Sequence, residues 1–401
     1  MIDVETGLIV PAVRTTRIKY SVMDTIERAY EAEKRGMDIL YLHIGDPLLF
    51  DFETPAHIIE ATHRAMLNRK TGYTDTSGIR EALGAIERSA DRKGINAIRD
   101  IFVTTGVSEA IDIAFAALIN EGENVLLPCP SYPLYMSSAY RNGAEPKFYH
   151  LDDSSNWQPD IDDIRSKIDD KTRGIVIIYP NNPTGSLYTE ETLRELIDIA
   201  LEYNLVIFSD EIYDRLLFDK KDHISTASLT SDATVVTLNG MSKAYLAPGF
   251  RIGWCIVSGR EQAVGDYCEA IAKYTRARLC ANHPEQYAIK AALEGDQSHI
   301  ERAIEKLERR RDITVEMLNA IEGISCVAPN GAFYAFPELE FEVDDIEFVH
   351  RLIDETGVIT MHGSGFGQKP GTHHFRVVFL AQESTLKTAY ERIADFTQQF
   401  T

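Results

Sequence analysis

The sequence predicts an α/β protein in which a large domain carries a mostly parallel seven-stranded sheet and a smaller α+β domain completes the chain. Three observations predict it. Between about residue 100 and residue 257, short β-branched runs alternate with helical stretches, several of those runs are apolar at nearly every position, and the texture changes after residue 285. The runs are IFVTTG, NVLLPCP, EPKFYHL, GIVIIYP, LVIFSDE, TVVTLNG and RIGWCIV. A run such as GIVIIYP has no polar face, as expected of a strand covered by helices on both sides. Between the runs, Ile111, Ala114, Phe115 and Leu118 recur at i, i+3, i+4, i+7, and so do Leu193, Leu196, Ile197 and Ala200. That spacing marks amphipathic crossover helices.

After residue 285 a long charged helical stretch, HIERAIEKLERRRDITVEMLNAI, precedes strand-like pieces around ISCV, GAFYAF, VITM and FRVVFL. This is the expected smaller domain. The segment LYLHIGDP, a strand running into a Gly/Pro turn, is expected to pack with it. The boundaries are therefore 1–48 for an N-terminal arm and part of the small domain, 49–290 for the large domain, and 291–401 for the small one. At 401 residues the chain exceeds one comfortable core, so two domains with a cleft between them are expected.

Composition narrows the function. The 41 basic and 62 acidic residues give a net charge of −21, which opposes binding to a phosphate backbone, so no nucleic-acid partner is expected. Five cysteines (Cys129, Cys255, Cys268, Cys280, Cys326) form no CxxC pair, which argues against a disulfide framework and a zinc motif. The start, MIDVETGLIVPAVRTTR, lacks the pattern of a secretory signal, and no apolar run reaches the roughly 18 residues of a membrane span. A cytoplasmic enzyme with no membrane partner is the expectation.

The polar residues that stand out follow the apolar runs, where open α/β sheets place their ligands. Gly106-Val107-Ser108 opens a helix after IFVTT, exposing free N–H groups and the positive dipole end to an anion such as phosphate. Asn182 lies in the turn-rich NNPTG after GIVIIYP. Asp210 ends LVIFSD with Tyr213 three residues on, and TVVTLNGMSKAYLAPGFRIGW carries Ser242, Lys243 and Arg251. A carboxylate, a phenol, a lysine and an arginine thus gather at one edge. Pyridoxal phosphate (PLP) needs such parts: an amine for its aldehyde, a carboxylate for its ring nitrogen, a donor for its ring oxygen, and a helix N-terminus with a cation for its phosphate.

The chain resembles the class I aminotransferases of PLP fold type I. The motifs LHIGDP, GYTDTSGIREAL, TTGVSEAI, PSYPLY, NNPTG, SDEIY, NGMSKAYLAPGFRIGW, PNGAFY, HGSGFG and HFRVVF carry the likeness in the family's order. Within the family the wording is most similar to archaeal alanine aminotransferases. The resemblance implies that Lys243 forms the internal aldimine and carries the proton between substrate and cofactor. By the same resemblance Asp210 would pair with the pyridine nitrogen, and Tyr213 and Asn182 would bond the ring oxygen. It also implies that Tyr132 stacks on the ring, that Gly106, Val107, Ser108, Ser242 and Arg251 hold the phosphate, and that Tyr73 reaches the partner's phosphate across a homodimer. Arg376 would clamp the substrate carboxylate, with Gly45 and Asn182 beside it, a bidentate task that lysine does poorly.

Two departures matter. Gly240 stands where many relatives have a phosphate-binding serine, so Ser242 or Ser108 is expected to take that share. Arg276 and Arg278 lie near the region of a distal-carboxylate arginine without matching its motif. A small neutral amino acid, alanine, with 2-oxoglutarate as acceptor and ping-pong order is therefore the favoured reading. Aspartate or aromatic specificity, and a carbon–sulfur lyase on the same scaffold, are the alternatives. His362, His373 and His374 show no ligand spacing and are read as structural, so no metal is expected. The glycines of HGSGFG lack the final position and the following βαβ unit of a dinucleotide loop.

Overall fold

Apolar runs bounded by turns leave their backbone N–H and C=O groups no buried partner except one another, and all seven runs pair into one sheet. The computed structural model describes residues 9–18 and 22–400; the first eight residues of the N-terminal arm lie outside them. In chain order the strands are β1 (Leu40–Tyr41), β2 (Ile98–Thr104), β3 (Asn124–Cys129), β4 (Glu145–Asp152), β5 (Gln158–Pro159), β6 (Thr172–Ile178), β7 (Val206–Asp210), β8 (Val235–Gly240) and β9 (Gly253–Ser258). They continue with β10 (Ile324–Ser325), β11 (Tyr334–Ala335), β12 (Glu338–Leu339), β13 (Val358–Ile359), β14 (Met361–His362) and β15 (Phe375–Val378).

The large sheet runs β2-β9-β8-β7-β6-β3-β4-β5. Its centre is parallel, and β9 is antiparallel to both neighbours. The link from β8 to β9 holds a 3-10 turn, Pro248–Phe250, rather than a crossover helix, so the chain returns antiparallel. The eighth strand, β5, is an addition to the seven that the sequence shows. It spans two residues and includes a proline, which an edge position tolerates.

Side-chain alternation divides the sheet between two cores. Val176, Ile178 and Phe208 join Phe102, Phe115 and Tyr135 on one face. Ile175, Ile177 and Ile207 join Val103, Leu126 and Leu193 on the other. The helix Val107–Leu118 buries Ile111, Ala114 and Phe115, with Leu118 half-buried, and Phe115 meets Phe208 edge-on at 4.8 Å. The helix Glu190–Tyr203 buries all four residues of its stripe, is capped by Thr189, and ends on Asn204 in the left-handed conformation.

Beyond the helix Ser298–Asn319, the pieces anticipated as strands form small sheets: β10 with β12, and β11-β15-β14. β1 pairs in parallel with β13, Leu40 opposite Val358 and Tyr41 opposite Ile359. The segment leading to Gly45 is thereby joined to the C-terminal third. No helix among the described residues is long and apolar enough to cross a membrane.

Candidate active site

Because β6, β7 and β8 are parallel neighbours, their carboxyl ends open on one side of the sheet, and the residues that follow them meet there. They line a cavity of about 530 Å³. Of the residues singled out from the sequence, Gly45, Val107, Ser108, Tyr132, Asn182, Asp210, Tyr213, Ser242, Lys243, Arg251 and Arg376 line it. Gly106 lies directly behind Arg251: a Cβ there would stand 2.6 Å from an Arg251 Nη. Tyr73 does not line the cavity and is 84% exposed.

Asp210 ends β7 in a fully enclosed position. It accepts hydrogen bonds from the Tyr135 hydroxyl at 2.7 Å and the Ile212 N–H at 3.2 Å. Burial pushes its carboxyl up to about 6, against the pull of those two bonds. Lys243 donates to the Gly45 carbonyl at 3.0 Å, and its Nζ stands 5.8 Å from the Tyr213 ring centre. The Tyr213 and Tyr334 hydroxyls lie 2.8 Å apart, and burial with Tyr334 raises the Tyr213 phenol well above its ordinary range. Tyr213 therefore stays protonated, with a hydroxyl able to donate. Gly45 is required by this packing, since a Cβ would fall 2.5 Å from the Tyr334 hydroxyl.

The helix N-terminus forms a second part of the wall. Gly106 caps it at φ 76°, a conformation glycine adopts without strain. At Gly253 a Cβ would sit 2.5 Å from the Val107 nitrogen, so a bare backbone keeps the turn close to Arg251. The combination of free helix N–H groups and a guanidinium suits an anion.

Arg376, on β15, is buried and held from several sides. It donates to Asn182 Oδ1 at 3.1 Å and to the His43 carbonyl at 2.6 Å. Its guanidinium lies 4.9 Å from the Tyr334 ring centre and 4.5 Å from that of Phe366, which fixes the plane of the fork. His43 is 4% exposed, and burial together with Arg376 pushes its imidazole down to about 4, so it is neutral at pH 7.

Sequence reasoning left Tyr135 without a role, and the structure makes it the donor to Asp210; its spacing from Tyr132 in PSYPLY was the available signal. His43, Tyr334 and Phe366 were also missed as wall residues, although LHIGDP, PNGAFY and HGSGFG contain them. Arg276 pairs with Glu269 at 2.6 Å, and Arg278 donates to the Val103 carbonyl at 3.0 Å. Neither lines the cavity, whose described cations are Lys243, Arg251 and Arg376. His362 bonds Ser364 at 2.7 Å, and His374 stacks on Phe336.

Comparison with known proteins gives the same direction. The family described as aminotransferase class I and II matches residues 37–393. The glutamate-pyruvate aminotransferase AlaA of Haemophilus influenzae is 40% identical over 93% of this chain and 94% of its own. The alanine aminotransferase of Mycobacterium bovis is 39% identical over 92% and 88%. Among solved structures, the alanine aminotransferase from Pyrococcus furiosus superposes with a TM-score of 0.94 at 40% identity, covering 97% of this chain and all of its own.

Proposed function

The chain belongs to the class I and II aminotransferase family, and on that premise we propose that it moves the amino group between alanine and 2-oxoglutarate, in ping-pong order, with pyridoxal phosphate held on Lys243. One observation carries the reading. A carboxylate, Asp210, is buried without a salt bridge among the described residues, across a cavity that also holds Lys243 and the fixed fork of Arg376. An enclosed carboxylate raised to about 6 calls for a cationic partner, and the protonated ring nitrogen of the cofactor is such a partner. The glycine-lined turn at Gly106 and Gly253, with Arg251 beside it, fits the phosphate.

When bound, the cofactor supplies an aldehyde for the amine and a ring that accepts electron density from the substrate. Lys243 would anchor it and would also move the proton at the substrate Cα. Asp210, fixed by Tyr135, keeps the ring nitrogen protonated, and Tyr213 and Asn182 donate to the ring oxygen. Tyr132 covers the ring face, and Val107, Ser108, Ser242 and Arg251 hold the phosphate. Arg376 binds the α-carboxylate in two parallel hydrogen bonds with Gly45 at its side. Ile26, Ile44, Leu134 and Phe366 give the wall an apolar surface, which favours a small neutral side chain, as do the names of the relatives.

The reading includes a homodimer in the cytoplasm. Tyr73 is exposed outside the cavity, as a residue that serves a partner's site should be, and all five cysteines are unpaired. The boundaries 1–48, 49–290 and 291–401 remain our division of the chain. The test is a single-turnover assay, in which the holoenzyme is mixed with one amino acid at a time and its absorbance followed. Alanine and glutamate should convert the bound aldehyde form to the amine form and yield pyruvate and 2-oxoglutarate. Release of ammonia or sulfide without the amine form, or faster conversion with aspartate than with alanine, overturns the proposal.

A further inference from the structure

Away from the cavity, three side chains from distant stretches converge where the large sheet meets the C-terminal strands. Asp153 lies in the turn after β4, Glu338 lies in β12, and His374 directly precedes β15, bridged by backbone to Glu338. Each offers one ligand atom, and the three atoms lie within 4.8 Å of one another. His374 is 3% exposed, yet neither of its ring nitrogens has a hydrogen-bond partner. Buried polar groups are normally satisfied. The ring cannot turn outward to water, because it stacks on Phe336 at 4.8 Å and 3° and abuts the Trp157 edge at 5.6 Å.

The carboxylates repeat the pattern. No salt bridge among the described residues engages Asp153 or Glu338. One Asp153 oxygen accepts the Ser154 N–H at 2.9 Å, which leaves the other for a ligand. We propose that Asp153, Glu338 and His374 form a binding site for a divalent transition-metal ion of the zinc type.

The donor set selects that class: an imidazole with two carboxylates suits zinc, nickel or cobalt, whereas magnesium and calcium favour oxygen alone. Zinc holds such ligands at about 2.0–2.2 Å, and the exposed Asp153 closes the remaining gap by rotating on its surface turn. The ion would tie the turn after β4 to the segment entering β15, two residues before Arg376. The donors stand at 153, 338 and 374, so no motif could have announced them, and the site adds a ligand role to the structural one read for His374. It stands independently of the cofactor reading.

Chelator-treated holoenzyme is titrated with ZnCl2, bound metal is measured after equilibrium dialysis, and emission of the adjacent Trp157 is followed during a parallel NiCl2 titration. One zinc per chain should bind, nickel should quench part of the emission, and both Asp153→Asn and His374→Phe should weaken binding at least tenfold. Asp153 is exposed, so its variant tests the site even where His374→Phe folds poorly. Failure of the wild type to retain zinc, or binding by Asp153→Asn as tight as that of the wild type, overturns the site.

Discussion

The two walls of the cavity are built differently. Asn182 and Lys243 follow β6 and β8, and Asp210 ends β7 between them, neighbours in one buried sheet whose register fixes their spacing. His43, Tyr334, Phe366 and Arg376 come from separate stretches joined by two- to four-residue strands and a 3-10 turn. The first wall is set by the frame of the protein. The second is set by contacts between pieces that can change without disturbing that frame, which suits a division between constant chemistry and adjustable selection.

The largest expected effect breaks the first wall. Lys243→Ala should abolish the visible band of the lysine-bound cofactor and lower turnover by about 10⁴-fold or more, with the melting profile of the chain retained; unchanged colour and rate would contradict the assignment. Arg376→Lys strikes the second wall. It removes a planar fork, and hydrogen bonds to charged groups contribute about 1.5–3 kcal/mol, so kcat/KM should fall about 10- to 100-fold for alanine and glutamate alike. The cofactor band should stay in place, and a shifted band would show that the walls are not separable.

The placing of Lys243 and Arg376 at the cavity was legible because apolar runs that stop at polar turns advertise their ends, and because FRVVF places an arginine inside a strand. Much of the second wall was not. Strands of two residues are too short to show alternation, and the pairing of β1 with β13 joins opposite ends of the chain. Tyr135 was visible only as one of two tyrosines beside Pro133. Which of them faces Asp210 depends on the path of the helix Leu134–Arg141, and local spacing does not determine that path.

Tyr135 sharpens the comparison on a smaller scale. Tyr135→Phe removes one hydrogen bond to the Asp210 carboxylate, so kcat should fall about 5- to 10-fold while KM for alanine moves little. An effect on KM alone would place Tyr135 with the second wall. The smallest signal is in stability. The folded chain holds the Asp210 carboxyl at about 6, and the unfolded chain leaves it near about 3.9. The folded state therefore binds this proton more tightly, and the contribution is complete below about 3.9 and lost as the pH rises through about 6. Melts of the cofactor-free protein should show the wild type gaining about one to two degrees on Asp210→Asn between pH 7 and pH 5. A constant difference across that range would contradict the burial argument.

Gly106 and Arg251 occupy each other's space: the glycine has no side chain where the guanidinium lies, and its backbone sits in a conformation closed to most residues. The backbone alone holds position 106 to glycine, whatever side chain stands at 251. Shrinking Arg251 would open room there without relieving that strain, so any redesign of this anion cradle must reshape the turn itself and not only its side chains.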